Sequence, residues 1–220
     1  MQRLVQTAIA SAAIVFAASA AHADVVKLDA YTYGSPTSVS VSAPSYSGGA
    51  GQFSGTLNGQ SFTTYCTDLL QYFYFGTTYS DYSVVSGASA WGVSGSQEMD
   101  RLMSYLMGAG APQDAAGSAA AQTMIWEVIY ENSAKYNLST GTFKASSTNS
   151  ATQTAMNAMS WAAIDATPIT YHVDKLYSPN EQDFMVVSRV QAVPEPASIA
   201  LVGAALAGLA VVGRRRAARG

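Results

Sequence analysis

The spacing of apolar residues changes along this chain, and each change predicts an element. Residues 25–33 are rich in β-formers, and Ser38-Val39-Ser40-Val41-Ser42 alternates with period two, the pattern of a half-buried strand. Ser47-Gly48-Gly49-Ala50-Gly51 has almost no side chain and predicts a loop. Strand-like runs at 53–57 and 61–67 flank Asn58-Gly59, a pair that favours the type I′ turn of a hairpin. This places Cys66 near a strand end. Residues 68–75 suit a short helix or a strand equally, and 79–86 predicts another strand.

The period then lengthens to that of a helix. Ser94 and Gln97 have the spacing of a capping box. Met99, Leu102, Met103, Leu106 and Met107 follow at i, i+3, i+4, i+7 and i+8, and Gly108 and Gly110 end the run. A second helix is expected from around Pro112 to about Tyr130, with Pro112 in its first turn. A third covers 150–164, carrying Ala151, Ala155, Met159 and Ala162 on one side and Trp161 near its end. The Ser/Thr-rich stretch 139–150 reads as a loop, and strands return at 167–176 and 183–190. The fold class expected is α+β, a β-sandwich or barrel-like framework with a helical insertion. No internal repeat is visible.

The two ends follow other rules. Arg3 precedes an apolar stretch, 4–20, and Ala21-His22-Ala23 puts small residues at both recognition positions of a signal peptidase, so residues 1–23 read as a removable signal peptide. At the other end Pro194-Glu195-Pro196 precedes the apolar run 197–213, then Arg214, Arg215, Arg216 and Arg219. The run is at the short end of the roughly 17–25 residues of a transmembrane helix, and the arginines would stay cytoplasmic. Residues 193–220 resemble the PEP-CTERM sorting signal in all three parts. That resemblance implies an exosortase as processing partner and a Gram-negative-type envelope. It also implies an inner-membrane-anchored precursor, and then a place on the outer surface or in an exopolysaccharide or biofilm matrix.

Between the ends, residues 24–192 are enough for one domain with its own core. The whole chain carries a formal charge of −3, but five of its eleven basic residues lie in the signal and the tail. Six basic residues then face thirteen acidic ones from Asp24 to Val193. No basic patch remains, so nucleic acid is not an expected partner. The only cysteine is Cys66, and His172 is the only histidine of the domain. One cysteine cannot make an internal disulfide, nor do these residues form a zinc set. No metal or cofactor is expected.

Two segments carry the candidate chemistry. One is Thr64-Tyr65-Cys66-Thr67-Asp68-Leu69. The other is the helical run from Ala119 to Tyr130, where Gln122, Ile125, Trp126 and Ile129 are spaced 0, 3, 4 and 7 and share one face. A buried glutamine must satisfy its amide, and a buried thiol in an oxidising compartment must be protected. Attack of the Cys66 thiolate on the Gln122 side-chain carbonyl, with loss of ammonia, disposes of both as a thioester.

An aromatic-Cys step followed by an acidic residue, with a helical Gln shortly before Ile-Trp, resembles the thioester domains of bacterial surface adhesins. Tyr65-Cys66-Thr67-Asp68 and Gln122-Thr123-Met124-Ile125-Trp126 are the matching residues. The resemblance implies a Cys66–Gln122 thioester, a pocket shaped by Tyr65, Asp68 and Trp126, and covalent attachment to amines of surface or matrix proteins or to polysaccharide hydroxyls. Such a protein is consumed in the reaction and is not a turnover enzyme. The chain departs from the family pattern at Ala121, commonly Thr, and at Met124, commonly Ala, where the larger side chain is expected to crowd the site.

Two other readings use the same residues. A cysteine hydrolase would pair Cys66 with His172, oriented by Asp174 or Asp68. A non-covalent matrix or polysaccharide-binding protein would use exposed tyrosines, of which the chain has 13, and leave Cys66 and Gln122 unreacted.

Overall fold

The computed structural model describes residues 23–131 and 137–191. The residues expected to form a signal peptide, up to His22, the Pro194-Glu195-Pro196 motif, the apolar run and the arginines lie outside the described residues. Ala23 is exposed and outside any regular element. Among the described residues no helix is long and apolar enough to cross a membrane.

Six strands open the domain: β1 (Asp24–Tyr31), β2 (Thr37–Val41), β3 (Tyr46–Ala50), β4 (Phe53–Leu57), β5 (Gln60–Thr64) and β6 (Thr78–Val85). Then come α1 (Gly87–Leu106), α2 (Ala115–Tyr130), the two-residue β7 (Ala145–Ser146), α3 (Ser150–Ala158) and α4 (Trp161–Asp165). The strands β8 (Tyr171–Tyr177) and β9 (Phe184–Arg189) complete the domain. The larger sheet has six strands in the order β5-β4-β1-β6-β8-β9, and the smaller has three, β3-β2-β7.

The larger sheet curls into a nearly closed barrel-like form whose edge strands, β5 and β9, meet. Thr64 Oγ1 donates to the Met185 carbonyl at 2.8 Å and accepts from its N–H at 3.1 Å. The Thr67 N–H donates to Asp183 O at 2.9 Å, and Cys66 faces Phe184 across an isolated antiparallel bridge. Closing the edges in this way removes unpaired strand groups that would otherwise invite aggregation. Helices are inserted between β6 and β8, as the change of period predicts, but there are four where three were expected, and the two-residue β7 lies inside the stretch 139–150 expected to be a loop.

The hairpin forms as expected: Asn58 and Gly59 both have positive φ, 51° and 77°, as a type I′ turn requires. The expected loop at 47–51 is largely strand, since β3 runs to Ala50. Glycine is required there for space rather than flexibility. A Cβ at Gly49 would lie 2.6 Å from Pro36 Cβ and 3.0 Å from the Tyr31 hydroxyl.

The helices start later or earlier than their sequence signals. Ser86, not Ser94, caps α1 by accepting from the Ser89 N–H, and the helix kinks at Gly92. The second helix starts after Pro112 rather than around it: Asp114 caps α2 by accepting from the Gly117 N–H at 2.8 Å. The third helix is two. Chain direction breaks after α3, and Ser160 caps α4, so Trp161 begins a helix instead of ending one.

Every residue of α2 from Ser118 to Val128 is buried. A helix enclosed on all sides does not have one apolar face but several, and the predicted stripe divides. Trp126 joins the core of Val26, Leu28, Phe53, Tyr82 and Phe184. Ile125 and Met124 join Met99, Leu102, Met103 and Leu106 of α1. Met107, expected on that face, is 47% exposed at the helix end.

Candidate functional site

Cys66 lies just past β5, where the chain still runs beside β9. The Thr67 N–H is used across the seam by Asp183. The alternation of an antiparallel pair then turns the N–H and C=O of Cys66 to the opposite side. Gln122 of α2 occupies that side. Its Oε1 accepts from the Cys66 N–H at 3.0 Å and its Nε2 donates to the Cys66 carbonyl at 2.8 Å. The carboxamide thus replaces a neighbouring strand, satisfies both main-chain groups of a single residue, and is itself only 1% exposed. Ala119, Ala120 and Ala121, all fully buried, carry too little bulk to hold the two backbones apart.

The thiol points into a second set of contacts. Cys66 Sγ is hydrogen-bonded to the Asp68 carbonyl and to Nε2 of Gln182. Gln182 Nε2 also donates to the Asp68 carbonyl, at 2.7 Å. Because that carbonyl can only accept, it identifies which end of the Gln182 amide is nitrogen. Gln182 is further held through its main chain, by Tyr72 O at 3.2 Å and by the Tyr82 hydroxyl at 2.6 Å. The Trp126 indole nitrogen is buried without a hydrogen-bond partner beside this pocket.

Burial dominates the electrostatics. It pushes the Cys66 thiol from 9.0 up to about 12, against the smaller opposing pull of the Asp68 main chain and the Trp126 indole. The Asp68 and Asp183 carboxylates add to the upward push. At neutral pH the sulfur is therefore neutral. The site favours the neutral thiol and resists the thiolate on which oxidation depends.

Cys66, Gln122 and Gln182 border a cavity of about 200 Å³. Aromatic rings supply most of its wall, among them Tyr31, Tyr46, Tyr72, Phe73, Phe75 and Trp126, and no charged side chain lines it. The loop that follows Cys66 forms its lip, where Leu70, Tyr72 and Tyr74 are 66%, 73% and 74% exposed.

Of the five residues that sequence places here, Cys66, Gln122 and Trp126 meet. Tyr65 does not: as the neighbour of Cys66 along an extended chain it points the other way, into the core of Met99 and Leu102. The Asp68 carboxylate also turns aside, accepting from the Leu70 N–H at 2.6 Å, and it is the Asp68 main chain that touches the sulfur. Met124 packs on the α1 side with Tyr65 and leaves the cavity uncrowded. Sequence reasoning missed Gln182, which lies in a short connection with no periodic pattern, and the tyrosines of the wall, which no spacing links to Cys66.

His172 is elsewhere. It pairs with Ser188 in the β8–β9 ladder, four residues along β9 from the Phe184 that faces Cys66, roughly 13 Å at the rise of a strand. Its Nδ1 meets Asp100 Oδ2 at 2.9 Å. Asp174 accepts from the Gly87 N–H at 3.1 Å, at the start of α1. A Cys–His pair is therefore not assembled, and the hydrolase reading is set aside. Among the described residues no group of three or more His, Cys, Asp or Glu could hold a metal ion.

Residues 192–216 match the PEP-CTERM protein-sorting motif. The tail thus marks an exported, membrane-processed protein sorted to the surface, with an exosortase as its processing partner. Comparison with curated proteins and with solved structures gave no match.

Proposed function

We propose that this exported protein forms a thioester between Cys66 and Gln122 and spends it once, joining itself covalently to a partner amine or hydroxyl at the cell surface or in the matrix around it. The observation that carries this reading is the reciprocal pair of hydrogen bonds laying the Gln122 carboxamide along the main chain of Cys66, the only cysteine in the chain. In the reaction, Sγ bonds to the side-chain carbonyl carbon of Gln122, the C–N bond breaks, and the nitrogen leaves as ammonia with the thiol hydrogen. The Cys66 N–H already points at the carbonyl oxygen and would stabilise negative charge developing there.

The second step is acyl transfer. A partner amine attacks the same carbon, the C–S bond breaks, and an amide to the partner replaces the thioester while the thiol is restored. A hydroxyl would give an ester. Because the protein is used up, this is a single-use reaction and not turnover. The largely aromatic wall of the cavity supports the reading, because apolar surface beside the sulfur disfavours hydrolysis, the competing fate of any stored electrophile.

One observation favours a non-covalent alternative. The Sγ hydrogen is directed at the Asp68 carbonyl, and the Gln122 amide is hydrogen-bonded through both its oxygen and its nitrogen, so both residues also serve as a structural clamp beneath an exposed aromatic lip. An intact-mass measurement separates the readings. The covalent reading requires a mass lower by one ammonia, covalent uptake of methylamine, and loss of both signals in Cys66→Ala. A full-mass protein whose thiol reacts only after denaturation leaves the matrix-protein reading alone.

A further inference from the structure

We infer that Gln182 is the donor that holds the sulfur when it leaves, a role that rests on the thioester reading above. Three atoms form a closed triangle: Cys66 Sγ, the Asp68 carbonyl oxygen and Gln182 Nε2. An NH₂ group has two hydrogens, and Nε2 here lies within reach of two acceptors. When Sγ is acylated its hydrogen is gone, and the contact from the thiol to the Asp68 carbonyl disappears with it. Gln182 still serves that carbonyl, so acylation leaves no buried acceptor unpaired.

The reverse step needs the same group. As the partner amine attacks and the C–S bond breaks, the electron pair goes to Sγ in a site where burial disfavours a charged sulfur. The Gln182 N–H already directed at Sγ stabilises that pair until the proton released by the attacking nitrogen returns the sulfur to a thiol. The donor does not have to be recruited. Its main chain is fixed by Tyr72 and Tyr82, so little reorganisation accompanies bond cleavage. Gln182 is a group in contact with the reacting sulfur, 116 residues from it in sequence.

The test compares the purified full chain with Gln182→Leu and Gln182→Glu, using intact mass for the bond and hydroxylamine as the nucleophile. Wild type and Gln182→Leu should both be lighter by one ammonia. Gln182→Leu should then react on the order of tenfold more slowly, the loss of one hydrogen bond to a developing charge. Gln182→Glu should be slow at neutral pH, where its carboxylate has no donor. Relative to wild type it should recover as the pH is lowered and the carboxyl regains a hydrogen, a response that a purely structural role would not produce. Gln182→Leu that carries the bond and reacts at the wild-type rate overturns the role of Gln182 while the thioester stands. Wild type at full mass overturns both. If Gln182→Leu does not fold by circular dichroism, Gln182→Glu decides alone, and a flat pH ratio rejects the proposal.

Discussion

Two helices in this molecule are tied to strands by polar side chains that take the place of a neighbouring strand, and the two ties differ in kind. On α1, the Asp100 carboxylate accepts from the Val173 N–H at 2.8 Å and meets His172. Ser104 Oγ accepts from the N–H groups of Thr170 and Tyr171 at 2.9 and 3.1 Å. This tie takes only donors from β8 and the chain leading into it, and it buries a charge whose side chain is 7% exposed. On α2, Gln122 both gives and takes, and the pairing is neutral. A carboxylate can anchor a strand but leaves its carbonyls to others. A carboxamide matches both groups of one residue. Only the second tie has a thiol on the residue it anchors, so only there would anchoring also serve the proposed reaction.

The contrast can be broken most strongly on the charged side. Asp100→Ala leaves the buried Val173 N–H without its acceptor and should cost about 3 kcal/mol, read as a lowered urea midpoint. Asp100→Asn, which keeps an acceptor oxygen, should recover part of the loss. Gln122→Leu removes two neutral hydrogen bonds and should cost about 2 kcal/mol in the same assay, while abolishing any uptake of methylamine. If it destabilised more than Asp100→Ala, the neutral tie would be the stronger one and the comparison would invert.

An alkaline effect sharpens the comparison further. Burial raises the Cys66 thiol from 9.0 to about 12 and the Tyr130 hydroxyl from 10.0 to about 12. The folded protein then holds these protons more tightly than the unfolded chain does. Their contribution to stability is complete below about pH 9 and drains away as the pH climbs toward 12. Acylated sulfur has no proton to lose. A urea midpoint that falls between pH 8 and 11 more steeply in the wild type than in Cys66→Ala therefore reports free thiol, and equal slopes report the bond.

Much of this arrangement is legible in sequence because local rules govern it. The Asn58-Gly59 turn, the Val39 and Val41 alternation and the Met99 to Leu106 stripe each follow from a period or a backbone requirement that neighbouring residues reveal. Cys66 and Gln122 are found by residue type and sequence context. The rest depends on long-range packing. β3 is hidden because its glycines make room for Pro36 and Tyr31, which no local pattern signals. Tyr65 leaves the pocket that the resemblance implies because successive side chains of an extended segment alternate sides, which sends it into the core of Met99 and Leu102. The split of the α2 stripe between two cores appears only once that helix is enclosed on all sides. Gln182 acquires its meaning from a seam that closes between residues more than a hundred positions apart.

That seam has a mechanical consequence. β9 is the last strand of the domain, ending at Arg189, and the sorting motif match begins three residues later. Any load applied from the C-terminal side therefore enters the domain through β9, which is clamped on one flank by six paired residues of β8 and on the other by the Thr64–Thr67 stretch. A load along this strand is borne by the hydrogen bonds of both flanks, and the second flank includes the bridge between Phe184 and Cys66.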